Sequence, residues 1–177
     1  GCFLPADRKI MLRLLSVIAL AAVALADEPD FSLQMEGEFA SLDPVFGQKL
    51  EKISGDMDIS LNQKVAAVHE AINALPADQQ EKANKFIKFG LDKEQQMINL
   101  AKSLIPEFSA EAQTVLNNVV NTYANGNDVP TKQLNENIKK IIDESSGAVK
   151  NELNAAKSEH VAKMQEFVKS MILEARA

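Results

Sequence analysis

The chain has 177 residues, with 19 Lys+Arg against 25 Asp+Glu, a formal charge of −6, one Cys and no Trp. This length suits one domain or a pair of small units rather than a multi-domain enzyme. The acidic balance argues against a general nucleic-acid binder, a lone cysteine excludes a disulfide scaffold, and 46% hydrophobic residues exclude disorder throughout.

Residues 1–10 precede Met11 and read as leader or appended sequence. Residues 11–26, MLRLLSVIALAAVALA, follow the plan of a secretory signal peptide. Arg13 supplies the positive start, residues 14–23 the apolar run, and Ala24-Leu25-Ala26 a small-residue cleavage site. The apolar run is too short to span a membrane. The expected product is a secreted, extracellular chain beginning at Asp27, with no membrane span. Losing Arg8, Lys9, Arg13 and Asp7 takes the balance from 19 basic and 25 acidic residues to 16 and 24, a charge of −8. Cys2 is lost as well, so the chain must be held by packing, without disulfides. No Asn-x-Ser/Thr sequon occurs.

Residues 27–41 show no clear period and read as a mobile acidic tail, and residues 42–177 read as a single all-α domain. The first helix has Asp43 as N-cap, Pro44 at N1, the stripe Phe46, Leu50 and Ile53, and Gly55 at its end. The second begins on a capping box at Ser60 and Gln63, carries Leu61, Val65, Val68, Ile72 and Leu75, and stops at Pro76. A third, from about Ala77, turns Ala83, Phe86 and Ile87 inward and is expected to end at Gly90. A fourth restarts at Asp92 with Met97, Ile98, Ala101, Leu104 and Ile105, up to Pro106. The fifth follows Ser109 with Ala112, Val115, Leu116, Val119, Val120 and Tyr123, and closes at Asn125-Gly126 in the left-handed conformation. The sixth starts near Asp128 and carries Leu134, Ile138, Ile141 and Ile142. After Ser145-Ser146-Gly147 comes a long last helix with Val149, Leu153, Ala156, His160, Met164, Phe167 and Met171 at near-heptad spacing. The expected fold is an all-α bundle of about six to seven helices.

Two stretches match at an offset of 70 residues: Phe46 with Leu116, Leu50 with Val120, Asp58 with Asp128, Gln63 with Gln133, and Ile72 with Ile142. They suggest repeats over 42–83 and 112–153, two similar helix hairpins joined by a central helical segment.

The turn Asp56-Met57-Asp58-Ile59-Ser60 opens like a calcium loop, but Leu61 stands where an EF-hand needs Gly and Ala67 where it needs a bidentate Glu. Its match, Asn125-Gly126-Asn127-Asp128, has the same weakness. Asp56, Asp58, Asn127 and Asp128 are therefore candidates for a loosely held Ca or Mg ion; capping, with Asp58 or Asp128 as N-cap, is the competing role. His69 and His160 lack the neighbours of a zinc site and suit packing or the surface. No nucleophile elbow, phosphate loop or HExxH motif is present, so a non-enzymatic protein is expected. Met57, Met97, Met164 and Met171 are soft apolar fillers. Bundles lined this way can open to take a small apolar ligand such as a fatty acid or retinoid. The last helix, with Lys157, Lys163 and Lys169 on its polar flank, could pair with another helix.

The run Phe108-Ser109-Ala110-Glu111-Ala112, then Thr131-Lys132-Gln133, then Ala148-Val149-Lys150-Asn151-Glu152-Leu153, resembles the C-terminal half of the nematode SXP/RAL family of secreted antigens, which includes Ani s-type allergens. The family pattern is an F-S-x-x-A helix start, a T-x-x-Q helix and an A-V-[RK]-x-E-[LI] segment; Thr131 and Gln133 stand one residue closer together than that pattern has them. The match covers about residues 108–153. The family's first half usually carries a Trp, and this chain has none. The resemblance implies an extracellular helical protein with a cation-binding domain that meets host components. Nematode fatty-acid- and retinol-binding proteins are the second family of this general kind.

Overall fold

Helix starts along the chain are set by local backbone chemistry. The computed structural model describes residues 43–176. The expected leader, signal peptide and acidic tail lie outside them. Asp43 Oδ1 accepts from the Val45 N–H at 2.7 Å, and Pro44 opens α1, Pro44–Gly55. Ser60 and Gln63 form the complete capping box that opens α2, Leu61–Asn73. This satisfies two backbone donors that a bare helix end would leave unpaired. Next come α3 (Ala77–Leu104), a 3-10 turn (Ile105–Glu107), α4 (Ala110–Ala124), α5 (Thr131–Asp143) and α6 (Gly147–Arg176). The fold is all-α. Among the described residues the only extended pairing is an isolated bridge between Ser60 and Pro130.

Three expectations are corrected. Gly90 does not end a helix: α3 is continuous for 28 residues. A mid-helix glycine costs about 1 kcal/mol relative to Ala, and the burial of Phe86, Ile87 and Ile98 on either side outweighs it. Asn125-Gly126 does not close α4 in the left-handed region, since Asn125 has φ −99° and ψ 0°. Gly126 is required by a close approach instead. A Cβ there would lie 2.5 Å from Leu134 Cδ1 and 2.9 Å from the Thr122 carbonyl oxygen. Finally, α5 starts at Thr131 and its cap is Pro130, which offers no side-chain bond.

The apolar stripes converge on one main core. Phe46 and Leu50 of α1 meet Val68 and Ile72 of α2, Phe86 and Ile87 of α3, Val119 and Tyr123 of α4, and Ile138 and Ile142 of α5. A second cluster joins Ala112 of α4 to Val149 and Leu153 of α6, with Phe108 packed against it. In α2 the buried face runs through Lys64, Val68 and Ile72, while Leu61 and Val65 are half-buried. Among the described residues no helix is long and apolar enough to cross a membrane.

The offset of 70 residues is visible in the backbone. The bounds of α2 and α5 differ by 70 at both ends, and α3 and α6 begin 70 apart. The two interhelical turns bond reciprocally: the Asn62 N–H donates to the Asn127 carbonyl at 3.0 Å, and the Lys132 N–H to the Met57 carbonyl at 2.8 Å. Adding 70 to the first donor and to the second acceptor exchanges the two bonds, so the turns are related by a pseudo-two-fold through the Ser60–Pro130 bridge. The relation continues past the second helix. Gln80 Nε2 caps the Asn73 carbonyl, and at the matching position Lys150 Nζ caps that of Asp143. The repeated unit thus reaches into the third helix of each half.

Candidate functional site

The four acidic-turn candidates fall in two segments about seventy residues apart in sequence, on two turns that bond to each other. Asp56, Asp58, Asn127 and Asp128 are all exposed. Asp56 Oδ1 accepts from the Asp58 N–H at 3.0 Å, closing the first turn on itself. Asp128 Oδ1 accepts from Asn62 Nδ2 at 2.6 Å, tying the second turn to α2. Neither Asp58 nor Asp128 is an N-cap, which corrects the capping role expected for them: Ser60 and Pro130 hold those positions. Among the described residues no group of three or more His, Cys, Asp or Glu side chains could hold a metal ion. Any cation here would be held by one or two carboxylates with backbone carbonyls and water, the sparse coordination that Mg tolerates better than Ca.

Asn62, Thr131 and Lys132, which complete the paired turns, were not among the sequence candidates. Thr131 gives both its N–H (3.1 Å) and its hydroxyl (2.9 Å) to the Ile59 carbonyl. The 70-residue offset carried the signal, since it pairs Asn62 with Lys132.

Behind the first turn lies a small cavity of about 30 Å³, lined by Leu50, Ile53, Ser54, Lys64, Val65 and Val68, with Ile87 and Leu91 of α3. That is space for a water molecule or two and an order of magnitude below the pockets that hold small ligands, about 300–1,000 Å³. Lys64 is buried beside it, and Nζ donates to the Ser54 carbonyl at 2.9 Å. The acceptor lies in the last turn of α1, where the helix dipole presents its negative end to a cation. The matching position in the second half is Leu134, so the two halves solve one packing site with a charged and an apolar side chain.

A second polar joint ties α4 to α6. Ser109 is the N-cap of α4, its hydroxyl oxygen accepting from the Ala112 N–H. Its N–H and hydroxyl donate to Glu152 of α6 at 2.7 and 2.6 Å. Beneath them Ala112, Val149 and Leu153 pack together. The F-S-x-x-A and A-V-K-N-E-L segments therefore meet in space, through Phe108, Ser109 and Ala112 on one side and Val149, Glu152 and Leu153 on the other. The hydrogen bonds from the Ser109 side chain and backbone hold the Glu152 carboxyl below the usual range. A depressed carboxylate stabilises the fold above its unfolded-state value, and that contribution is lost as pH falls through the folded value. Glu152→Gln is therefore expected to show a shallower loss of stability than the parent between about pH 5 and pH 3. Urea midpoints measured across that interval check it; parallel curves would mean that the joint does not form.

His69 is exposed and His160 buried. The paired acids Asp143 and Glu144 face solvent in i,i+4 ion pairs with Lys139 and Lys140, as expected of a polar flank. Met57 is exposed rather than filling the core. The side chains of Met97, Met164, Met171, Lys157 and Lys169 lie outside the described residues.

The class that these observations define is an all-α protein built of two related three-helix units joined through their turns. No protein-family model, curated protein or solved structure matches the chain.

Proposed function

We propose that the chain is a secreted, non-enzymatic helical antigen of the SXP/RAL kind, acting by binding at the paired turns. The observation that supports this reading is the backbone bonding between the two turns, which sets the segment carrying Asp56 and Asp58 beside the segment carrying Asn127 and Asp128. The meeting of Phe108, Ser109 and Ala112 with Val149, Glu152 and Leu153 supports the family part of the proposal. Two of the three segments that carry the resemblance meet there, and the third, Thr131-Lys132-Gln133, lies at the paired turns. The ligand class is a weakly held divalent cation, or a host component that engages the same exposed acidic turns.

Calorimetric titration with calcium and with magnesium tests the site. A weak, saturable heat is expected, reduced at least tenfold in affinity by Asp58→Ala combined with Asp128→Ala, because weak cation sites depend steeply on carboxylate count. No heat, or heat unaffected by the double variant, removes the cation. Saturation of a fluorescent fatty acid would move the protein to the carrier class instead, and would require the helices around the 30 Å³ cavity to separate. The secretory part has its own readout: expression of the full chain in a secreting cell is expected to yield a product whose first residue is Asp27. Retention inside the cell with the N-terminus intact would overturn that part.

A further inference from the structure

His160 is a buried, titratable side chain that the paired turns do not use. Its Nδ1 lies 2.9 Å from the Ala156 carbonyl oxygen one turn earlier in α6. The Phe108 ring stacks on it at 5.0 Å between centroids. A carbonyl oxygen can only accept, so Nδ1 carries a hydrogen. In the neutral ring Nε2 is then a bare lone pair. That atom is buried without a hydrogen-bond partner, and it sits 3.4 Å from Glu107 Oε2 on the 3-10 turn, within ion-pair reach. A lone pair facing a carboxylate is two acceptors opposed. A proton on Nε2 turns the same contact into a charge-assisted bond.

We propose that His160 is a proton-operated latch between α6 and the 3-10 turn that joins α3 to α4. With both ring nitrogens protonated, the imidazolium bridges the Ala156 carbonyl and Glu107, and α6 is tied to the α3–α4 junction. Loss of the Nε2 proton removes the His160 arm of that tie and leaves an unpartnered buried nitrogen against Glu107.

The charged groups around the ring are placed to keep the acceptor in position. From the 3-10 turn comes Glu107; from α6 come Glu159 and Lys163. Lys163 Nζ is 3.2 Å from both Glu107 oxygens and 3.0 Å from Glu159. Phe108 contributes only its ring. On the next residue, Ser109 is engaged by Glu152, which takes that carboxylate out of competition for the imidazole. Lys163 therefore holds Glu107 beside His160 whether or not the ring is charged, and the proton on Nε2 is the one element that changes.

The chain has two histidines, so nitrogen NMR of the full chain resolves the ring directly, with His69→Gln assigning the signals. At the lower pH, where the ring is charged, both His160 nitrogens are expected to be protonated, and at the higher pH, where the ring is neutral, only Nδ1. The Nε2–H tautomer at the higher pH would overturn the latch. A double-mutant cycle of His160→Gln with Glu107→Gln supplies the energetic readout. The two sites are expected to couple by about three- to tenfold in the unfolding constant at the lower pH and not at the higher. Coupling of equal size at both pH values, or none at the lower one, would refute the proposal.

Discussion

Phe46→Ala is expected to lower the unfolding free energy by about 3–5 kcal/mol, the range for removing a fully buried aromatic ring. Phe46 is 1% exposed and among the largest fully buried side chains of the described residues. It lies in the first turn of α1, whose backbone entry is held by Asp43 and Pro44, so the helix cannot easily slide to fill the void. The loss then combines transfer of the ring to water with an uncollapsed cavity facing the main core. Urea unfolding should show a lower midpoint at an unchanged slope. A fall in slope would mean that α1 has detached, and an unchanged midpoint that Phe46 is not in the core.

The two glycines that bracket α5 are expected to respond to alanine with opposite signs. Gly126→Ala places a Cβ within 3.0 Å of the Thr122 carbonyl and of Leu134. The Leu134 side chain can rotate, but the carbonyl belongs to α4 and cannot yield without moving the helix. A loss of about 1–3 kcal/mol follows, as for overpacking in a closed core. Gly147→Ala meets nothing within 4 Å and lies at the first position of α6. It should add about 0.4–1 kcal/mol by restricting the unfolded chain. Thermal unfolding of the two single variants measures both; the same sign for both would refute the close approach at Gly126. Adding Leu134→Ala to Gly126→Ala separates the two contacts, since only the part of the strain that comes from the leucine can be relieved.

Much of the helical architecture was legible because its signals are local. Asp43-Pro44, Ser60 with Gln63, and Ser109 act within one turn of chain, and each caps the helix that it was expected to start. Pro76 and Pro106 likewise stop the helices that precede them, because a proline lacks the N–H that would bond the carbonyl four residues earlier. The Gly90 break failed for the converse reason. Glycine only weakens a helix, and whether the weakness becomes a break depends on what the flanking residues bury. The burial of Lys64 was missed since a lysine on an apolar face is legible only once the Ser54 carbonyl is known to lie within reach of its ammonium.

The candidate site was half legible. The composition of the turns marked Asp56, Asp58, Asn127 and Asp128, and the 70-residue offset hinted that the turns are equivalent. Their reciprocal hydrogen bonds depend on two segments far apart in the chain and could not be read from either. The same holds for Ser109 with Glu152, where a helix cap and a surface carboxylate, each unremarkable alone, become one joint.

The amino-acid pattern by itself determined the class: an all-α chain with one cysteine, whose periodic apolar residues demand a shared core. Periodicity and capping are properties of a few consecutive residues, and local backbone energetics suffices to decide them. Only the tertiary structure decided that two halves face each other across their turns, that α3 runs unbroken through Gly90, and that His160 points a buried nitrogen at Glu107. Each of those depends on which distant atoms share a few ångströms of space, a quantity that short-range spacing along the chain does not contain.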